Sequence, residues 1–243
     1  MRKIFGLFLV GLLIQFFAFI AIAGANSMDK LDTRQSAIVP IAAFAAKGDL
    51  ENLKIALSEG LESGLTINEI KEVLVQLYAY CGFPRSLNGL NTFIAVLDER
   101  AAKGIKDVVG KDASPIPTDK NRYEYGTEIQ TSLVGRPVSG RTYDFAPIID
   151  TFLKEHLFAD IFLRDVLNQQ ERELVTVAAL ASFPGVANQL RSHLNVSMNI
   201  GITEGQLRDF VKIIEVRIGT AEAETARKML DVVLESRKTL INK

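Results

Sequence analysis

From residue 33 onward the apolar positions recur at helical spacing. Ile38, Ile41, Ala42 and Ala45 share one face of a first helix, which breaks at Gly48. Leu50, Leu53, Leu57 and Leu61 form the next stripe, with Gly64 placed as a left-handed C-terminal cap. Thr66-Ile67-Asn68-Glu69 has the capping-box pattern that restarts a helix, and Ile70, Val73, Leu74 and Leu77 give it a buried face. Gly82-Phe83-Pro84 then turns the chain into a helix carrying Leu87, Leu90, Ile94 and Leu97. The same plan returns near the C-terminus, with Pro184-Gly185 as the first break, Gly201 as the cap and Thr203-Glu204-Gly205-Gln206 as the capping box. Strand-type alternation is scarce, so the pattern predicts an all-α protein.

The recurrence is an internal repeat. Residues 34–100 align with 171–237 at a constant offset of 137, without gaps. Ala42 falls on Ala179, Gly48 on Gly185, Leu53 on Leu190, Leu57 on Leu194, Gly64 on Gly201, Thr66 on Thr203, Gly82 on Gly219 and Val96-Leu97 on Val233-Leu234. Matches at turns and core positions point to duplication. The expected layout is a first helical repeat over 31–103, a linker with lead-in helix over 104–150, and a second repeat over 151–240. Within the middle stretch, "GKDASPIPTDKN" reads as a polar, proline-bearing linker, "RYEYGTEIQTSLVG" as a short helix and "DFAPIIDTFLKEHLFADIF" as one amphipathic helix.

The N-terminus changes the picture of where the chain works. Arg2 and Lys3 precede an apolar run from Ile4 to Ile22, followed by Ala21-Ile22-Ala23 and Ala23-Gly24-Ala25, both small-x-small. Residues 1–25 therefore read as a secretory signal peptide, with a periplasmic or secreted mature protein; the run is also long enough for an uncleaved membrane anchor. Arg2 and Lys3 are the only charges removed by cleavage, which takes the net charge from −1 to −3. No basic patch suggests nucleic acid. One cysteine allows no intrachain disulfide, so the core must hold the fold, and 48% apolar residues suffice. Two histidines and no zinc-type Cys/His spacing leave no metal centre to expect.

The run "RELVTVAALASFPGVANQLRSHLNVSMNIGITEGQLRDFVKII" (Arg172 to Ile214) resembles the carboxymuconolactone decarboxylase family, whose helical fold is shared with alkylhydroperoxidases of the AhpD type. "EVLVQLYAYCGFPRSLNGL" in the first repeat resembles the end of that family's core motif, and "RYEYGTEI" and "FLKEHLFADIFLRDVL" resemble the lead-in of its decarboxylase-like members. In the peroxidase branch a Cys-x-x-Cys-x-x-x-His run precedes the glycine cap. Counting back from Gly201 puts that histidine on His193 and the two cysteines on Val186 and Gln189; from Gly64 the same count gives Asp49, Asn52 and Ala56. Both cysteine pairs are missing, and with them the two-thiol peroxidase chemistry. Cys81 lies one helix later. It reads as a small filler against a turn, or as a one-cysteine redox thiol needing an outside reductant.

His193 lies beside Leu190 and Leu194 at an apolar seam, which suits either a core histidine or an acid/base group. Glu173 reads as a helix-start acid or, by the resemblance, as the partner of His193 in a proton relay. The first repeat keeps Gln76 and Tyr80 but has Ala56 where the second has His193. That divergence predicts one composite pocket per pair of repeats, within a chain or across a subunit boundary. In it His193 is the general acid/base, Tyr80 and Gln76 orient the substrate, and Arg191 or Arg85 holds a carboxylate. His156 is expected to cap or line the edge of its amphipathic helix.

The resemblance implies a cofactor-free lyase or isomerase acting on an unsaturated lactone or keto acid, and self-association as a trimer or hexamer. The alternatives are a peroxidase using Cys81 and a non-catalytic small-molecule binder or assembly protein.

Overall fold

The computed structural model describes residues 29–241, and among them every regular element is helical. The segment read as a signal peptide lies outside the described residues. The first unit comprises α1 (Thr33–Lys47), α2 (Leu50–Glu62), α3 (Ile67–Gln76), the single turn α4 (Tyr78–Cys81) and α5 (Phe83–Ala102). Then come α6 (Arg122–Val134), α7 (Arg141–Phe145), α8 (Pro147–Thr151) and a π-helical segment, Phe152–Phe162. The second unit comprises α9 (Gln169–Ala181), α10 (Ala187–Asn199), α11 (Glu204–Arg217) and α12 (Thr220–Ile241). The fold is all-α, built from two tandem helical repeats.

Local chemistry sets these boundaries as the pattern predicts. Thr66 and Thr203 accept from the backbone N–H groups of Glu69 and Gln206, whose side chains accept from the threonine N–H groups in return. Gly48 ends α1 at φ 74°, where a side chain would be strained. One departure separates the copies. α11 runs unbroken, whereas its counterpart is interrupted at Leu77 and resumes as α4. That break lets Tyr80 leave the line of α3.

α1 and α9 pack against each other at the centre of the molecule. Ile38–Ala46 and Glu171–Ala181 are continuously buried, so neither helix keeps a polar face along these stretches. α2 covers α1 and α10 covers α9, while α11 crosses to α1 and α3 and α4 cross to α9. Each repeat thus closes the core of the other.

Burial all round α9 forces its polar residues to find partners inside. Arg172, fully buried, donates to Gln76 Oε1 and to Glu72 Oε2, both at 3.0 Å, and to the Arg164 carbonyl at 2.8 Å. Arg164 donates to Glu72 Oε1 at 2.6 Å. Gln76 Nε2 donates to the Arg172 carbonyl at 2.8 Å and to Thr176 Oγ1 at 3.0 Å. Burial alone would raise the Glu72 carboxyl, but the hydrogen bonds from Arg164 and Arg172 outweigh it and hold that group below the usual range.

The connecting stretch contains no helix between Ala102 and Arg122, yet it is anchored. Ile67 and Asn68, at the start of α3, donate their backbone N–H groups to Val108 and Val109 carbonyls, both at 2.9 Å. The single amphipathic helix expected over 144–162 is instead three pieces. Proline disfavours helical geometry in the residue before it, and Ala146, preceding Pro147, sits at φ −133°. The π-helical segment packs along α6, and Leu133, Phe158, Ile161 and Phe162 join Val196 of α10 in a small second core. The two backbones meet at Gly126, where a Cβ would lie 1.7 Å from the Lys154 carbonyl oxygen.

Three outcomes follow. Arg172→Leu leaves Glu72 with Arg164 as its remaining guanidinium partner but takes the donor from the buried Gln76 Oε1, and is expected to lower the urea unfolding free energy by about 1–3 kcal/mol. Because the folded Glu72 carboxyl titrates below its unfolded value, its contribution is full at neutral pH and disappears as pH falls below about 4. Acid unfolding of Glu72→Gln should therefore be flatter in that window. Gly126→Val is expected to separate α6 from the π-helical segment at a cost of about 1–3 kcal/mol or more, read as faster proteolysis within residues 104–165.

Candidate functional site

His193 projects from α10 between the fully buried Leu190 and Leu194, and 20% of its side chain remains exposed. Its Nδ1 lies 2.9 Å from Glu173 Oε2, and Glu173 is entirely buried on α9. In the tautomer that carries hydrogen on Nδ1, the ring donates to Glu173 and Nε2 is the nitrogen without that partner. Glu173 Oε1 has no hydrogen-bond partner among the described residues. Tyr80, delivered by α4 of the first repeat, meets the imidazole edge-on, with ring centroids 5.9 Å apart. Its hydroxyl is buried near Thr176 and meets no partner at good hydrogen-bonding geometry among the described residues. Burial, with the Glu173 carboxylate close by, pushes the phenol well above its ordinary range, so it stays a neutral donor.

These three groups line a cavity of about 840 Å³. One wall comes from α9, α10 and α12; the other comes from the hairpin of α6 with the π-helical segment, through Leu133, Val134, Leu153, Leu157 and Phe158. Arg191 is exposed and also lines the cavity.

Two expected substrate contacts lie elsewhere. Both polar atoms of the fully buried Gln76 are engaged by Arg172 and Thr176, and it does not line the cavity. Arg85 turns to the other side, donating to the Ala46 carbonyl with its guanidinium 6.0 Å from the Phe183 ring centre. Neither is placed to orient a substrate beside His193. His156 is exposed, 3.0 Å from Asp160 and leaning on the Tyr78 ring.

The sequence model of the Carboxymuconolactone decarboxylase family matches the chain twice, over residues 15–94 and 148–231. The chain belongs to the carboxymuconolactone decarboxylase family. The first match begins at Gln15, inside the stretch read as a signal peptide. The chain is also similar to 4-carboxymuconolactone decarboxylase of Acinetobacter baylyi, 26% identical over 121 residues, which covers 48% of this chain and 90% of the relative.

As a tandem member of the carboxymuconolactone decarboxylase family, the chain holds two copies of the site position, and they are unequal. The counterparts of Glu173, His193 and Tyr80 at the offset of 137 are Ser36, Ala56 and Arg217. Those three residues line a smaller cavity of about 370 Å³, where Arg217 pairs with Glu59 at 2.6 Å. No acid/base side chain replaces the imidazole there. The hairpin residues that wall the larger cavity were not singled out from sequence, since apolar residues there read only as helix faces. Their lack of a counterpart in the repeat alignment was the available signal.

Cys81 stands apart from this cavity. Its thiol donates to the Leu77 carbonyl at 3.1 Å, and burial pushes it up to about 11. At neutral pH its alkylation by iodoacetamide should be on the order of 100-fold slower than that of an exposed cysteine. A rate close to that of free cysteine would contradict this placement.

Proposed function

We propose that the chain is a cofactor-free acid/base enzyme that decarboxylates or isomerises an unsaturated lactone or keto acid. The observation that carries this reading is the 2.9 Å contact between His193 Nδ1 and the fully buried Glu173 at the wall of a cavity. Family membership and the similarity to a 4-carboxymuconolactone decarboxylase support the reaction class.

The chemistry needs no electron sink beyond the substrate. In decarboxylation the bond to the carboxylate breaks as CO₂ leaves. The electron pair passes through the double bond into the conjugated carbonyl, giving a dienolate. His193, protonated from solvent and held by Glu173, returns one proton from Nε2 to carbon, so the substrate exchanges CO₂ for a proton. In isomerisation the same nitrogen removes a proton from one carbon and restores it at another. Tyr80, neutral and unpartnered, is the hydroxyl available to the enolate oxygen if the pocket relaxes around a ligand. The apolar hairpin wall keeps water from the charge that develops. The elevated thiol of Cys81 and its place outside the cavity argue against the peroxidase alternative.

The basic start, long apolar run and small-residue sites of residues 1–25 support export as part of this proposal. Exposed Phe145, Ile148, Ile149 and Phe152 support self-association, which light scattering of the purified protein would measure.

With a panel of unsaturated lactone and keto acids as substrates, His193→Gln is expected to lower kcat/KM by about 100-fold or more, with Cys81→Ser unchanged. Full activity in His193→Gln would end the acid/base reading. Loss of activity in Cys81→Ser alone, with its melting temperature intact, would point to the thiol.

A further inference from the structure

The cavity carries more information than its acid/base pair. Glu173 is the only carboxylate among its lining residues, and it is engaged by His193. Two guanidinium groups line the same space, Arg191 from α10 and Arg136 from the turn after α6. Both are exposed, and among the described residues neither forms an ion pair, although the chain pairs most of its other arginines. The rest of the lining is mainly hydrocarbon, and much of it comes from the hairpin. A volume of about 840 Å³ lies toward the upper end of small-molecule sites, which run from about 300 to 1,000 Å³.

We propose that this cavity takes an amphipathic carboxylate, with one anionic head held by Arg136 and Arg191 and a bulky apolar ring or chain lying along the hairpin wall. The inference rests on the reading of the His193 cavity as the substrate site and narrows its substrate class. A compact diacid would leave the apolar wall unfilled and would bring a second charge against it, which is costly without a partner. A guanidinium also stabilises the carboxylate it holds, so the head stays on the substrate; of the two reactions proposed above this favours isomerisation, with the proton moved on the body beside His193.

Binding separates this inference from the catalytic one. In calorimetric titrations of the full chain, naphthoate is expected to bind at least about tenfold more tightly than adipate, a compact diacid. Arg136→Gln/Arg191→Gln should weaken naphthoate by about tenfold or more, and Val138→Trp, which fills the cavity from a loop, should remove its binding. Tighter binding of adipate, no binding of naphthoate, or unchanged naphthoate affinity in both the arginine and Val138 variants would overturn the proposal. Turnover by His193→Gln, with these affinities as expected, would remove the catalytic reading and leave the ligand class standing.

Discussion

Helix α9 buries an arginine and a glutamate side by side. Successive residues on a helix point about 100° apart, so Arg172 and Glu173 cannot share a partner and must each be satisfied in a different direction. Arg172 reaches into the first repeat, to Glu72 and Gln76, and Glu173 reaches across its own repeat to His193. A buried charge without a partner is among the most damaging defects a fold can hold. The same helix therefore joins the two repeats and fixes the imidazole, and the chemistry of the cavity depends on the packing of the core.

Much of this architecture was legible in the chain. Capping boxes at Thr66 and Thr203 and breaks at Gly48, Gly64, Gly185 and Gly201 act over a few residues, so their signals survive without tertiary context. The place of His193 at an apolar seam was legible for the same reason, since Leu190 and Leu194 fix the helix phase around it. The roles of Gln76 and Arg85 were not. A polar side chain in an apolar stretch signals that a partner exists, but not whether that partner is a ligand or a neighbouring helix. For Gln76 the partner is Arg172, which is about a hundred residues away in sequence and read only as one end of a familiar stretch. The breaking of the lead-in helix was carried by Pro147, while the close approach of the π-helical segment to α6 at Gly126 is a contact no local pattern encodes.

The two cavities show how a duplicated fold can become asymmetric without losing its frame. Core positions such as Leu53 and Leu190, or Leu57 and Leu194, stay apolar and fully buried in both copies. Glu173, His193 and Tyr80 line one cavity and their counterparts Ser36, Ala56 and Arg217 line the other, so the exchange is confined to the cavity walls. Arg217 then takes Glu59 as a partner, turning the first position into an ordinary surface ion pair.

The interruption at Leu77 has a further meaning for how this molecule can be divided. It sends Tyr80 out of one unit and into the neighbourhood of an imidazole owned by the other, under a roof supplied by the residues that join them. Cleaving the polypeptide in that joining region would distribute ring, hydroxyl and roof over separate fragments. A descendant reduced to a single unit would inherit a helical frame, but it would have to rebuild its reactive centre from new parts.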